Sequence, residues 1–489
     1  MATDPGTLRH RFSSEPGGTV HSDIQILAEQ FAAAAWGPWL LVLLLGGGTY
    51  FLILSRFVPF RYLGHGLALL SGRHSDPTDP GEITHFQALS AALAGTIGLG
   101  NIGGVALAIA IGGPGAIFWM WVTAIFGIAT KFFTCSLAVM YRHTDAQGHT
   151  HGGPMYVITE GLGRRWKWLA IMFASFGMIG ALPVFQTNQL VQILREIVIL
   201  ESSVLDLSDP AKIDNITLAI NLALGLGIAL IACMVIFGGI KRIARFAAAL
   251  VPAMTVAYLL TVVVALAMNF SAVPGALWLI VTDAFSADAA AGGALLSMIL
   301  YGVRRGAFSN EAGIGTEALA HGAAKTREPI REGLVAMLGP IVDTLIICTA
   351  TAVMILLSGV WQTSDANGIT LTARAFEALL GRPGTLILIA CVCCFAMTTI
   401  VTYSFYGGQC ARFLFGSRAP YFYQWIYVSF VLVAAVISLQ TAIGIIDGAY
   451  ALMAIPTMVS AILLAPRVKQ AADRYFAELD AGKDPSRPG

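Results

Sequence analysis

Glycines at 95, 98, 100, 103 and 104 surround Asn101 in the stretch AGTIGLGNIGGVALAIAIGGPG, residues 94–115. The stretch lies inside a long apolar run. A helix crossing lipid must satisfy its own backbone hydrogen bonds, so a glycine-rich break there is tolerated only where the freed amides and carbonyls meet protein, water or a ligand. A second interrupted run lies far downstream, GVRRGAFSNEAGIGT at 302–316. Two interrupted segments in corresponding halves of a membrane chain point to the binding site of a secondary transporter.

The elements that would position these breaks follow from composition. Of 489 residues, 56% are hydrophobic and only 12% charged, with a mean hydropathy of +0.74; a soluble domain carries about 25% charge. The net charge of +1 offers no basic patch for nucleic acid. About 20 apolar residues are needed to span a bilayer. Apolar windows predict about eleven helices, at 36–57, 84–110, 116–141, 168–194, 217–237, 246–268, 294–321, 334–359, 385–410, 425–439 and 443–465. Cations gather in alternate connections: Arg56, Arg61 and Arg73; Arg142, Arg164, Arg165 and Lys167; Lys241, Arg242 and Arg245; Lys325, Arg327 and Arg331; Arg412 and Arg418; and Arg467, Lys469 and Arg474. The segment 196–215 instead holds Glu201, Asp206, Asp209 and Asp214 against Lys212. The positive-inside rule then places the N-terminus outside and the C-terminus in the cytoplasm, which needs an odd number of spans.

Shorter patterns carry less. Gly98 to Gly103 matches G-x-G-x-x-G, but a dinucleotide fingerprint needs a preceding strand and a βαβ unit, and this one sits in a membrane helix. Gly100 and Gly104 also form G-x-x-x-G, which lets helices approach closely; that accounts for Gly103 and Gly104 but not for Thr96, Gly98 and Asn101 grouped with Gly95 and Gly100. Cys391 and Cys394 form C-x-x-C with no second pair or histidine cluster to complete a metal site. They and the other five cysteines, at 135, 233, 348, 393 and 410, read as buried small hydrophobes. The first 35 residues are polar, then weakly amphipathic over 24–31, without the pattern of a signal peptide. The residues from Asp480 read as a polar tail, and no soluble domain is visible.

Longer motifs are more specific. GLGNIGGVALAIAIGGPGAIFWMWVTAIFGIATKF (98–132), HGGPMYVITEGLG (151–163), GVRRGAFSNEAGIGTEALAHGAA (302–324), REGLVAMLGPIVDTLIICT (331–349) and TTIVTYSFYGGQ (398–409) resemble, in order, the alanine or glycine:cation symporters, or sodium:alanine symporter family. The resemblance runs from about residue 37 to 465. It implies an all-α polytopic membrane protein with a leucine-transporter-like fold: an N-terminal extracytoplasmic tail (1–35), an extra first helix and cytoplasmic loop (36–83), a first inverted five-helix repeat (84–268), an extracytoplasmic connection (269–293), a second inverted repeat (294–465) and a cytoplasmic tail (466–489).

In such a fold, amides after the first break can hold an amino-acid carboxylate at the positive end of a half-helix, and carbonyls on its other side can bind Na⁺ or the substrate ammonium. Gly98 and Gly100 let backbone approach the ligand without a Cβ, and Asn101 can brace the turn. Thr96 and Leu99 fall in the same break. In the second break Ser309 and Asn310 can bond ligand or backbone, and Phe308 can close over a small side chain. The resemblance places a pocket glutamine at Gln186, in the interruption PVFQTNQL; the alternative is a helix-to-helix hydrogen bond. It also supports Thr398 and Thr399, with carbonyls near Ala94 and Ile97, as a sodium cage, since hard cations prefer oxygen; the alternative is ordinary threonine bonding within a helix. Tyr403, one turn beyond Thr399, would share its face. Relatives often have a polar residue in place of Leu99 and Trp in place of Tyr403, so a substrate somewhat larger or more polar than alanine fits this chain.

Charges within the spans need partners: Lys131, Arg304, Arg305, Glu311, Asp343 and Asp447. Glu311 is expected to pair with Arg304 or Arg305; a cation-coupling role is the alternative. The function implied is symport of a small neutral amino acid, of the alanine or glycine class, into the cell with Na⁺ by alternating access. The location is the plasma membrane (the inner membrane in a Gram-negative cell). Coupling to protons with a different small amino acid is the second reading, and a substrate-gated channel the third. No enzyme motif, P-loop, organic cofactor, nucleic-acid partner or obligate protein partner is evident; the partners are the amino acid and the bilayer.

Overall fold

A computed structural model describes residues 19–72, 78–145, 148–199, 210–286, 294–364, 366 and 368–481. Of the loop charges used above, Arg73, Glu201, Asp206 and Asp209 lie outside the described residues.

Helices dominate. In chain order they are α1 (Thr19–Ala35), α2 (Pro38–Leu54), α3 (His85–Thr96), α4 (Gly100–Gly112), α5 (Ala116–Met140), α6 (Lys167–Gly180), α7 (Val184–Ile193), α8 (Pro210–Ile236), α9 (Gly239–Met268), α10 (Val273–Asp283), α11 (Ala294–Asn310), α12 (Glu317–His321), α13 (Pro329–Ser358), α14 (Gly368–Phe415), α15 (Ala419–Ala434) and α16 (Leu439–Asp480). Among the described residues the only sheet is a two-residue ribbon, His143–Thr144 against Thr150–His151.

Among the described residues, seven helices are long and apolar enough to cross a membrane, or nine if the bent pairs α1–α2 (49°) and α3–α4 (50°) each count as one span. The seventh and tenth expected spans fall on shorter pieces: α11 stops at a break, and α15 is 16 residues long. Large apolar side chains stand exposed on the outside, among them Leu230, Met234, Leu260, Val263, Trp278, Phe422 and Trp425. A chain that buries polar groups within and exposes such residues has lipid as its solvent. The mid-span charges follow the same logic: Lys131, Arg305, Glu311, Asp343 and Asp447 are all buried.

Local chemistry sets the ends of these helices. Thr84 caps α3 by accepting from Gln87 N, while Gln87 Oε1 accepts from Thr84 N, a capping box. At its other end Ile97 is extended (φ −74°, ψ 94°), which stops the helix at mid-bundle. Within α14, Gly381 adopts φ 66° just before Pro383, and the helix is broken there. Residues 19–35, expected as part of a tail, form α1, which lies on α16: a Cβ at Gly444 or Gly448 would strike Ala28 or Phe31. Likewise α16 continues unbroken from Leu439 to Asp480, well past the expected end of the last span. The connection expected over 269–293 contains α10, whose last residue, Asp283, accepts from Gly115 N at 2.7 Å.

Candidate functional site

The first break covers Ile97 to Leu99, between α3 and α4. Its turn is closed by Asn101, whose Oδ1 accepts from Gly98 N at 2.9 Å. The second break follows Asn310. Glu311 (φ 56°), Gly313 (φ 84°) and Gly315 (φ 97°) are left-handed within five residues, so the chain cannot continue as a helix. Asn310 caps this end, its Oδ1 accepting from Ala312 N at 3.0 Å and its Nδ2 donating to Thr344 Oγ1 at 3.2 Å.

The two breaks, about 210 residues apart in the chain, meet. Asn101 Nδ2 donates to Ser309 Oγ at 3.2 Å and to Asp343 Oδ1 at 2.5 Å. Ser309 and Thr344 hydroxyls donate to Asp343 Oδ2 at 2.9 and 2.7 Å. One wholly buried carboxylate on α13 thus gathers donors from both breaks. Its role could not be read from spacing, because Asp343 lies 242 residues from Asn101. The one available signal was a lone acidic residue in an apolar span.

The other candidates fall around this centre. Gly98 lies against α14: a Cβ there would sit 2.7 Å from Thr399 Oγ1. Gly100 lies against the Phe308 ring: a Cβ there would sit 3.2 Å from it. Leu99, Ala94 and Ile97 are completely buried, and Thr96 is buried with a hydroxyl that has no partner. Phe308 packs edge-on against Phe185 and tilted against Tyr450, at 5.3 and 5.5 Å between ring centres. Gln186 follows Phe185, is buried, and its Oε1 has no partner. The Thr398 and Thr399 hydroxyls both donate to Phe395 O, at 2.9 and 3.0 Å. This is bonding within their own helix; it occupies the hydrogens and leaves oxygen lone pairs for another ligand. A cavity of about 300 Å³ lies elsewhere, on the outer face at the α14 kink, lined by Leu260, Thr261, Val264, Leu380, Pro383, Gly384 and Ile387.

Glu311 does not pair with Arg304 or Arg305. Both arginines reach Asp447 on α16 instead, Arg304 at 2.5 Å. They lie on the regular part of α11, whereas Glu311 lies past its end in a left-handed turn that aims it elsewhere. Glu311 accepts from the hydroxyls of Tyr403, Thr316 and Tyr450, the last at 3.2 Å. Tyr450 also donates to Tyr403 Oη at 2.5 Å. The Tyr403 ring passes beside Gly95, 3.3 Å from where a Cβ would be. The phenol hydroxyl of Tyr403 is therefore what joins α14 to the second break.

Two interrupted helices meeting in a buried polar centre, inside a bundle with an apolar exterior, define a secondary transporter. A model of the sodium:alanine symporter family matches residues 21–488, and the chain belongs to that family. It is 40% identical over 451 residues to the sodium/alanine symporter AgcS of Methanococcus maripaludis, covering 90% of this chain and 95% of that one. It is 39% identical over 455 residues to an uncharacterized transporter of Haemophilus influenzae, covering 91% and 94%. Its structure is similar to that of MhsT in complex with L-phenylalanine, with a TM-score of 0.56 at 14% identity, covering 80% of this chain and 98% of MhsT. The fold is thus leucine-transporter-like.

Proposed function

We propose that the chain is a Na⁺-coupled symporter that carries a small neutral amino acid, of the alanine or glycine class, into the cell by alternating access. The observation that carries the reading is the meeting of the two breaks through Asn101, Ser309 and Asp343, with Thr399 packed on Gly98. Family membership and the names of the relatives support the substrate class and the ion.

In this reading the amides of the turn at Gly98, Leu99 and Gly100 receive the substrate carboxylate. Thr96, Asn101, Gln186, Asn310 and Thr399 supply polar contacts, while Phe308 and Tyr403 bound the side-chain space. Na⁺ lies between the carbonyls of Ala94 and Ile97 and the hydroxyls of Thr398 and Thr399. The donors fit the ion: all are oxygen, and both hydroxyls point their hydrogens at Phe395 O. Asn101, Asn310 and Thr399 are completely buried, so in this conformation the site is closed to both sides. Alternating access then moves one repeat, 84–268, against the other, 294–465. The cation-rich connections face the cytoplasm, with the N-terminus outside the plasma membrane.

The test is uptake of labelled alanine and glycine into liposomes holding the purified protein, under inward gradients of Na⁺, K⁺ or choline. Uptake that follows Na⁺ alone is expected. Equal uptake in all three sinks the sodium assignment, and uptake following an imposed proton gradient replaces it.

A further inference from the structure

At the basic end of the bundle one carboxylate holds three elements together. Glu332, near the start of α13, is completely buried. Its Oε2 accepts from His85 Nδ1, and its Oε1 accepts from His321 Nδ1 at 2.6 Å. His85 is the first residue of α3, the half of the first broken helix that ends on this side. His321 is the last residue of α12, the corresponding half after the second break. Both rings are buried.

The backbone ties the same parts. Lys325 N donates to Ile83 O at 2.7 Å, and Glu82 N to Ala323 O at 2.8 Å. Arg142 donates to Ala324 O and Thr326 O at 3.0 and 2.6 Å. None of these groups reaches the substrate centre, yet a pathway that opens on this side between the two repeats needs the α3 end to part from α12 and α13.

The His85 imidazole on this carboxylate makes the contact between the repeats sensitive to protons. A neutral ring with its hydrogen on Nδ1 gives an ordinary bond; an imidazolium gives a charge-assisted one about twice as strong. Histidine changes charge near pH 6.5 (about) in the absence of neighbours. The other charged or titratable groups facing this cluster are Arg331 beside Glu332, Asp79 ahead of α3, which pairs with Arg327 at 3.0 Å, Arg142 and Cys135 from α5 and its end, and His65 on the short helix Leu63–Leu70, bonded to Tyr475. Protonation of His85 therefore tightens its contact with Glu332, and its loss loosens it.

We propose that Glu332 is a positioning residue, a proton-sensitive latch that holds the α3 end closed against α12 and α13 on the cytoplasmic side. The proposal rests on the symport reading above and on its placing of this end in the cytoplasm.

The test is alanine exchange across proteoliposomes containing the full chain, with the pH on the cytoplasmic face stepped from about 6 to about 8 across the histidine range. Wild-type exchange is expected to rise about tenfold, the factor that corresponds to about 1.4 kcal/mol. Glu332→Gln can accept from only one imidazole, so it should exchange fast at both values. His85→Gln keeps an amide donor but cannot titrate, and should also give a flat profile; it carries the test alone if Glu332→Gln does not fold. A transporting wild type with a flat profile, or variants that keep the wild-type slope, overturns the latch. Absence of Na⁺-stimulated uptake in the wild type overturns the symport reading, and the latch falls with it.

Discussion

Gly98→Ala is the smallest change that probes how the first break meets α14. The new methyl would lie 2.7 Å from Thr399 Oγ1, closer than side-chain contacts allow. Thr399 cannot simply turn away. It is completely buried, its hydroxyl is bonded to Phe395 O at 3.0 Å, and a β-branched side chain in a helix has few rotamers. Either that hydroxyl leaves Phe395 O, or the turn moves and strains the 2.9 Å bond from Gly98 N to Asn101 Oδ1. Overpacking of this kind costs about 1–3 kcal/mol. If the cost falls on the ion-bound state, the Na⁺ concentration for half-maximal alanine binding rises between about 5-fold and about 150-fold. Gly104→Ala is the control, since no atom lies within 4 Å of its added Cβ. Adding Thr399→Ala to Gly98→Ala removes the clashing oxygen, so the thermal unfolding temperature lost in Gly98→Ala should be partly regained in the double variant, a coupling that only neighbours show. The assay is Na⁺-dependent binding of labelled alanine to purified protein. Identical Na⁺ activation in Gly98→Ala and Gly104→Ala would refute the placement of Thr399 at the ion site.

Other perturbations test the remaining contacts. Gln186→Ala should abolish alanine binding while leaving the melting temperature near wild type, because Gln186 Oε1 accepts no hydrogen bond within the protein; wild-type affinity would remove it from the site. Asn310→Ala should lose binding and also some stability, about 1–3 kcal/mol, because Ala312 N is left without an acceptor; a melting temperature unchanged from wild type would deny the cap. Tyr403→Phe removes one hydrogen-bond donor from buried Glu311, worth about 0.5–1.5 kcal/mol, and should lower stability and transport together. Tyr403→Trp should shift preference towards glycine over alanine and serine, by an amount no larger than the 1–3 kcal/mol (about) of one methylene; an unchanged rank order in competition assays would place Tyr403 away from the substrate.

Much of this protein was legible without a structure. Lipid as the solvent follows from long apolar runs with few charges, because only helices satisfy their backbone there. The two breaks showed as glycine clusters inside such runs, since a left-handed or unwound backbone at that depth favours residues without a Cβ. What the chain order could not say is which polar groups answer one another. Glu311 lies six and seven residues from Arg305 and Arg304, which suggested an ion pair, but the left-handed turn after Asn310 aims it at Tyr403 and Tyr450 instead. Asp343 stood alone in its span, and only packing brings it to Asn101 and Ser309. Glu332 gave no sign that it holds His85, 247 residues away. Local periodicity and backbone chemistry act over a few residues and are written in sequence; the pairing of buried polar groups is decided by which helix faces meet, and that only the tertiary structure sets.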